Sequence, residues 1–159
     1  MDPDQHPYEI LEHPADIGFL ARGRTLRELF ANAALAMMSL GWELDAVEEL
    51  ERREIEASGE DLESLLYDWL SAVLATADAD RLIFSRFEVN VEAPRAPASA
   101  PEAPGTPAEP QGLARGVAWG EPIDRSRHHP RTYVKAVTYH QFEVRQTDHG
   151  YTARVYLDV

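Results

Sequence analysis

Two stretches of the chain repeat apolar residues at intervals of three and four, and each follows its own start signal. In the first, Leu26, Leu29, Phe30, Ala33, Ala34, Met37 and Met38 form one stripe, the spacing that gathers side chains on a single helical face. Thr25 and Glu28 make a capping box ahead of it: the hydroxyl accepts the amide of Glu28 while the glutamate reaches back. A helix ending by Gly41 is expected. In the second, Ser58-Gly59-Glu60-Asp61 opens a helix with the stripe Leu62, Leu65, Leu66, Trp69, Leu70, Val73 and Leu74. Asp61 and Glu63 sit favourably at its positive end, and a loop is expected over 78–81. Each helix has one apolar face and must bury it against another layer. The methionine pair is read as core filler.

The rest alternates with a period of two, the signature of half-buried strands. Strands are expected over 8–11, 17–22, 53–57, 83–91, 113–119, 133–139, 142–147 and 151–157. Leu20 interrupts the alternation of Ile17, Phe19 and Ala21, which suits a strand covered on both faces. Gly120-Glu121-Pro122 is expected to break one strand, and 124–131 to form a basic, histidine-containing loop. His140 is placed at a turn, and Asp148-His149-Gly150 at a tight hairpin. Residues 93–112 hold six of the eleven prolines, a composition that supports neither ladder hydrogen bonds nor an apolar period. They are expected to be a mobile Pro-rich insertion in a single domain over 8–159, with 1–7 a flexible arm. The fold class is α+β, mainly antiparallel sheets with two amphipathic helices.

Composition removes whole classes of chemistry. Without cysteine there is no disulfide, zinc–thiolate site or cysteine nucleophile. A net charge of −13 opposes non-specific nucleic-acid binding and suits a basic protein surface or a cation. Neither a membrane-length apolar run nor a secretory n- and h-region at Met1-Asp2-Pro3-Asp4 is present, so a cytoplasmic location is expected. There is no phosphate-binding glycine loop, no Gly-x-Ser-x-Gly elbow and no HExxH spacing. The pair His128-His129 is expected to be solvated.

Two features do suggest chemistry. Glu12-His13-Pro14-Ala15-Asp16-Ile17-Gly18-Phe19 puts an aspartate at a strand's first residue, where it either caps a turn or does chemistry. At the far end stand Asp158 and the carboxylate of Val159. Were those strand ends neighbours, three anionic oxygen donors would meet, at a cost unless a cation sat among them. Such donors select Ca²⁺, Mg²⁺ or Mn²⁺, and His13 could add a nitrogen or an outer hydrogen bond. Separately, fourteen of fifteen basic residues are arginine and only Lys135 is lysine. A position that resists this drift is a candidate for work only a compact ammonium does.

Several ordered stretches resemble the archease family. They are Tyr8-Glu9-Ile10-Leu11-Glu12-His13-Pro14-Ala15-Asp16-Ile17-Gly18-Phe19, Thr25-Leu26-Arg27-Glu28-Leu29-Phe30-Ala31-Asn32-Ala33 and Gly59-Glu60-Asp61-Leu62-Glu63-Ser64-Leu65-Leu66. Gly120-Glu121-Pro122, Val134-Lys135-Ala136-Val137-Thr138-Tyr139-His140 and Ala153-Arg154-Val155-Tyr156-Leu157-Asp158-Val159 complete them. The resemblance implies a protein cofactor, not an enzyme, for the tRNA-splicing RNA ligase, promoting its guanylylation and multiple turnover in tRNA splicing and RNA repair. It implies RNA contact only through the ligase and a divalent metal, calcium first with magnesium or manganese as alternatives. It puts the metal on Asp16, Asp158 and Val159, and the required lysine on Lys135. Pro14 departs from the family's usual threonine, and 93–112 is longer than its usual connection. A small metal-dependent phosphoesterase using the same acids and an acidic, chaperone-like adaptor are the alternative functions.

Overall fold

The computed structural model describes residues 6–12, 17–94 and 111–159. Among them the order is β1 (Tyr8–Glu12), β2 (Ile17–Gly23), α1 (Leu26–Gly41), β3 (Glu51–Gly59), α2 (Leu62–Asp80), β4 (Leu82–Glu92), β5 (Gly112–Pro122), β6 (Ala136–Thr147) and β7 (Gly150–Asp158). The strands form a four-stranded sheet, β1-β2-β7-β6, and a three-stranded sheet, β3-β5-β4. Every pairing is antiparallel, so the expected α+β class is the one that forms. No helix among the described residues is long and apolar enough to cross a membrane. The expected arm lies outside the described residues over 1–5, and the Pro-rich stretch over 95–110.

Both helices pack against both sheets. α1 lies on β2 and β7 of the larger sheet and on β4 of the smaller; α2 lies on β3, β4 and β5 and reaches β6. This explains why α1 is not one-sided as expected: Ala36, Ser39 and Leu40 are buried along with the apolar stripe. The chain after β5 covers this end of the helix, the amides of Arg131 and Thr132 donating to the carbonyls of Gly41 and Leu40. Trp69 of α2 is fully buried, and its indole N–H donates to the Phe30 carbonyl of α1 at 3.1 Å. A Cβ on Gly116 of β5 would lie 2.5 Å from the Trp69 ring. One side chain thus ties two helices and a strand.

The caps follow the sequence with one change. Thr25 accepts the Glu28 amide at 3.2 Å, but the Glu28 carboxylate reaches past the cap residue to the amide of Arg24, at 2.8 Å. In α2 the reciprocal box closes between Asp61 and Ser64, and Ser58 and Gly59 belong to β3 rather than opening the helix. α2 also runs to Asp80, through the expected loop at 78–81. Alanine-rich Ala75-Thr76-Ala77-Asp78-Ala79 offers no breaker, Ala77 is buried, and the stop comes at left-handed Arg81.

Three further expectations fail for tertiary reasons. Gly120-Glu121-Pro122 does not break β5, because Gly120 pairs with Glu51 on one side and Phe84 on the other, and Pro122 occupies the last position. The strands expected over 133–139 and 142–147 are one strand, β6, which starts at Ala136. Its register jumps between Thr138 and Glu143, with Gln141 at φ 51°. Thus His140 sits in a bulge on an edge strand.

Finally, His128 is not solvated: it is 1% exposed, whereas His129 is exposed. Its Nδ1 accepts the Asp124 amide at 2.8 Å, so the neutral ring carries its proton on Nε2. That atom lies 3.2 Å from Glu121 Oε1 but outside hydrogen-bond geometry. Glu121 is itself buried; it accepts from the Arg127 guanidinium and, at 2.5 Å, from the Glu48 amide. Trp42 and the His128 ring meet nearly at right angles, with centroids 6.4 Å apart. The network staples 42–50 and 124–131 to the end of β5. Burial first, then the charge of Arg127, lowers the His128 pKa; Asp124 opposes this and His129 adds to it.

Two predictions follow from this core. Trp69→Ala should cost about 3–5 kcal/mol in urea unfolding, and Trp69→Phe clearly less because most of the volume stays. For His128 the unfolded chain takes up a proton near pH 6.5 and the folded one only below that. Stability from this group is therefore complete above the ordinary imidazole range and falls as pH drops through it. His128→Asn should show a smaller loss of urea midpoint between pH 7.5 and 5 than the parent protein. An equal loss in both would remove His128 as the cause.

Candidate functional site

The last strand is interior to its sheet, with β2 on one side and β6 on the other. Alternation drives its placement. Ala153, Val155 and Leu157 are buried, and the register sets Phe19 opposite Val155 and Ile17 opposite Leu157. On the other flank Ala136 pairs with Asp158, and the Lys135 amide donates to the Asp158 carbonyl at 2.8 Å. The start of β2, the end of β7 and the lead into β6 thus form one corner of the sheet.

Of the sequence-predicted site residues, the corner brings together Lys135, Asp158 and Val159, all three exposed. Asp16 and His13 lie outside the described residues. Ile17, which follows Asp16 in the chain, is paired in this corner with Leu157. Among the described residues no three histidine, aspartate or glutamate side chains converge on a common point, and the Lys135 ammonium makes no ion pair with Asp158 or any other described acid. Its cationic head is available to solvent rather than absorbed by the adjacent carboxylate. The donors at hand are carboxylate oxygens, which suit a hard divalent cation and exclude a thiolate-type site.

Sequence reasoning missed the aromatic rim beside this corner. Tyr133 is 69% exposed and Tyr139 58%. Tyr139 stacks on Tyr67 of α2 with centroids 3.9 Å apart, and Phe142 meets both rings edge-on. Partial burial, then Tyr67 and the carboxylates of Asp61 and Asp68, raises the Tyr139 phenol pKa. His140 tilts toward Tyr156 with ring centroids 6.0 Å apart. All of this depends on the β6 bulge, which swings Tyr139 and Phe142 toward α2, and the period-two pattern carries no signal for it.

A cleft lies elsewhere. About 680 Å³ in volume, it opens at the other end of the four-stranded sheet, around Arg22, Arg24, Thr147 and Tyr151. The corner with Lys135 and Asp158 lies at the opposite end of β7 from that cleft, and its three residues are open to solvent.

Comparison with known proteins agrees with this architecture. Residues 8–159 match the model of the Archease protein family (MTH1598/TM1083). Protein archease of Sulfurisphaera tokodaii is 36% identical over 152 residues, covering 96% of this chain and 98% of that protein. Protein archease of Methanosarcina acetivorans is 40% identical, with coverages of 96% and 95%. The solution structure of protein 1598 of Methanobacterium thermoautotrophicum superposes with a TM-score of 0.78 at 37% identity, covering 96% of this chain and 99% of that one. With a family match running from β1 through the last residue and full-length relatives above one-third identity, the chain belongs to the archease family.

Proposed function

We propose that this archease is a protein cofactor of the tRNA-splicing RNA ligase, promoting guanylylation and multiple turnover of that enzyme and ligating no RNA itself. The observation that carries the reading is the sheet corner, where the backbone of the only lysine is bonded to Asp158 and the strand following Asp16 runs alongside. An exposed ammonium and exposed carboxylates at one sheet corner can be presented to another protein's active site. The net charge of −13 favours a basic partner surface and disfavours direct contact with RNA.

Asp16, Asp158 and the Val159 carboxylate would hold a divalent cation, whose contribution when bound is to stabilise negative charge on phosphate oxygens. Lys135 acts as a compact point charge beside them, aimed at a phosphate or an acidic group of the partner during guanylate transfer. Its backbone amide, held by Asp158, fixes where the side chain starts.

The test is ligation of split RNA by the ligase with GTP, with and without this protein. Lys135→Ala should cut the stimulation by about 10²-fold and leave the thermal midpoint unchanged, since the side chain is exposed and unpaired among the described residues. Stimulation by the variant equal to the parent would remove Lys135 from the mechanism. Asp158→Asn, or a few residues appended after Val159, should each weaken Ca²⁺ binding by at least about tenfold in calorimetry. Incubated alone with phosphoesters and Mg²⁺ or Mn²⁺, the protein should release no phosphate; steady release would favour a phosphoesterase instead.

A further inference from the structure

The cleft at the opposite end of the four-stranded sheet from Lys135 and Asp158 has a chemistry of its own. Its floor is a close approach between two chain turns. Gly150, at φ 140°, closes the β6–β7 hairpin, and a Cβ there would lie 2.3 Å from the Gly23 carbonyl oxygen and 2.7 Å from the Arg24 Cα. Only glycine accommodates both that φ and that contact. The hairpin is therefore pressed against the connection from β2 to α1, and the cleft opens above the junction.

The lining is cationic in a chain with 28 acidic and 15 basic residues. Two guanidinium groups, Arg22 and Arg24, face one carboxylate, Glu28, and the oxygen Oε2 of that carboxylate already accepts the Arg24 amide. Arg22 is held by Glu9, at 2.5 Å, from outside the lining. The Arg24 guanidinium has no hydrogen bond or ion pair with any described residue. Most arginines of the described chain do find an acid or a carbonyl, so an unmatched one in a cleft is uncommon here. The second cleft, on the three-stranded sheet around Gly116, has the opposite balance, with Glu54, Glu56 and Glu88 against Arg27 and Arg115.

Neutral donors complete the site. Thr147 Oγ1 accepts the His149 amide at 3.2 Å, which leaves its hydroxyl proton free to donate outward. Thr152 and Tyr151 bring two more hydroxyls to the same wall. Guanidinium and hydroxyl donors that outnumber the single carboxylate of the lining, Glu28, are what a phosphate group demands. The volume falls in the range of small-molecule sites. From Tyr151 to Asp158 β7 rises seven residues, about 23 Å, so this cleft cannot share a ligand with the Lys135 corner.

We propose that this cleft binds the phosphate group of a small anion, free phosphate or a nucleotide phosphate, with Arg24 as the principal cation. The test is an amide NMR titration of the full ¹⁵N-labelled chain at constant ionic strength, with inorganic phosphate in one arm and GMP in the other. Expected are saturable shifts at Gly23, Arg24, Gly150 and Tyr151 in at least one arm, the tighter arm identifying the source. Arg24→Ala, whose side chain holds nothing else in place, should weaken binding at least tenfold. Thr147→Val should weaken it less, and Asp158→Asn should leave it unchanged. Shifts that never saturate, that sodium chloride alone reproduces, or that persist at full affinity in Arg24→Ala would overturn the proposal. Because Asp158→Asn acts only on the ligase-facing corner, a failure here is separable from a failure there.

Discussion

The interior position of β7 is the constraint from which the rest of the molecule follows. Its two neighbours come from opposite parts of the chain: β2 from the beginning, β6 from just before the last hairpin. Because side chains alternate strictly along a strand, slipping either pairing by one residue would turn Val155 and Leu157 outward. Each of those side chains is worth about 1.5–3 kcal/mol when fully buried. Register is therefore set by apolar burial, and the polar groups at the strand's end inherit their position from it. The backbone bond between Lys135 and Asp158 is a consequence of packing beneath the sheet, and the two residues need no direct attraction to stay adjacent.

The same reasoning separates what the sequence made legible from what it did not. The stripes from Leu26 to Met38 and from Leu62 to Leu74 were readable because helical periodicity is local, and so was the cap at Thr25. The two-residue turn ahead of Gly150 was readable for the same reason. By contrast, Gly120-Glu121-Pro122 is a local breaker held in a strand by partners some seventy and some thirty-six residues earlier in the chain. The bulge after Thr138 brings Tyr139 onto Tyr67, a residue of α2 distant in the chain. The polar chain neighbours of His128 predict a solvated side chain. Its real surroundings, Trp42 and Glu121, are assembled from other segments. Composition around a residue describes its sequence neighbours, and burial is decided by spatial ones.

For the site, legibility came from two independent sources. The rarity of Lys135 against fourteen arginines needed no structure, and its adjacency to Asp158 emerged only from the pairing of β6 with β7. The metal assignment has a different standing. The three carboxylates and their preference for a hard cation were legible from the residues, the resemblance assigned them as ligands, and with Asp16 outside the described residues geometry adds the pairing of Ile17 with Leu157. The buried Glu121 network illustrates the reverse case. Gly120-Glu121-Pro122 was visible as a family motif with no role attached, and its role emerges as anchorage for the segment that runs on to Lys135.

Charge placement gives the last step. At physiological ionic strength the potential of an exposed charge decays over about 8 Å, and the two ends of β7 are about 23 Å apart. The field at the Lys135 corner is therefore set by Lys135, Asp158 and their near neighbours, and the arginines at Gly150 contribute almost nothing to it. A protein with strong net negative charge can in this way keep the guanidinium of Arg24, unpaired among the described residues, at one end of a sheet and carboxylates at the other. What joins the ends is mechanical: one strand, anchored through its buried residues Ala153, Val155 and Leu157, holds each group of charges in a fixed frame.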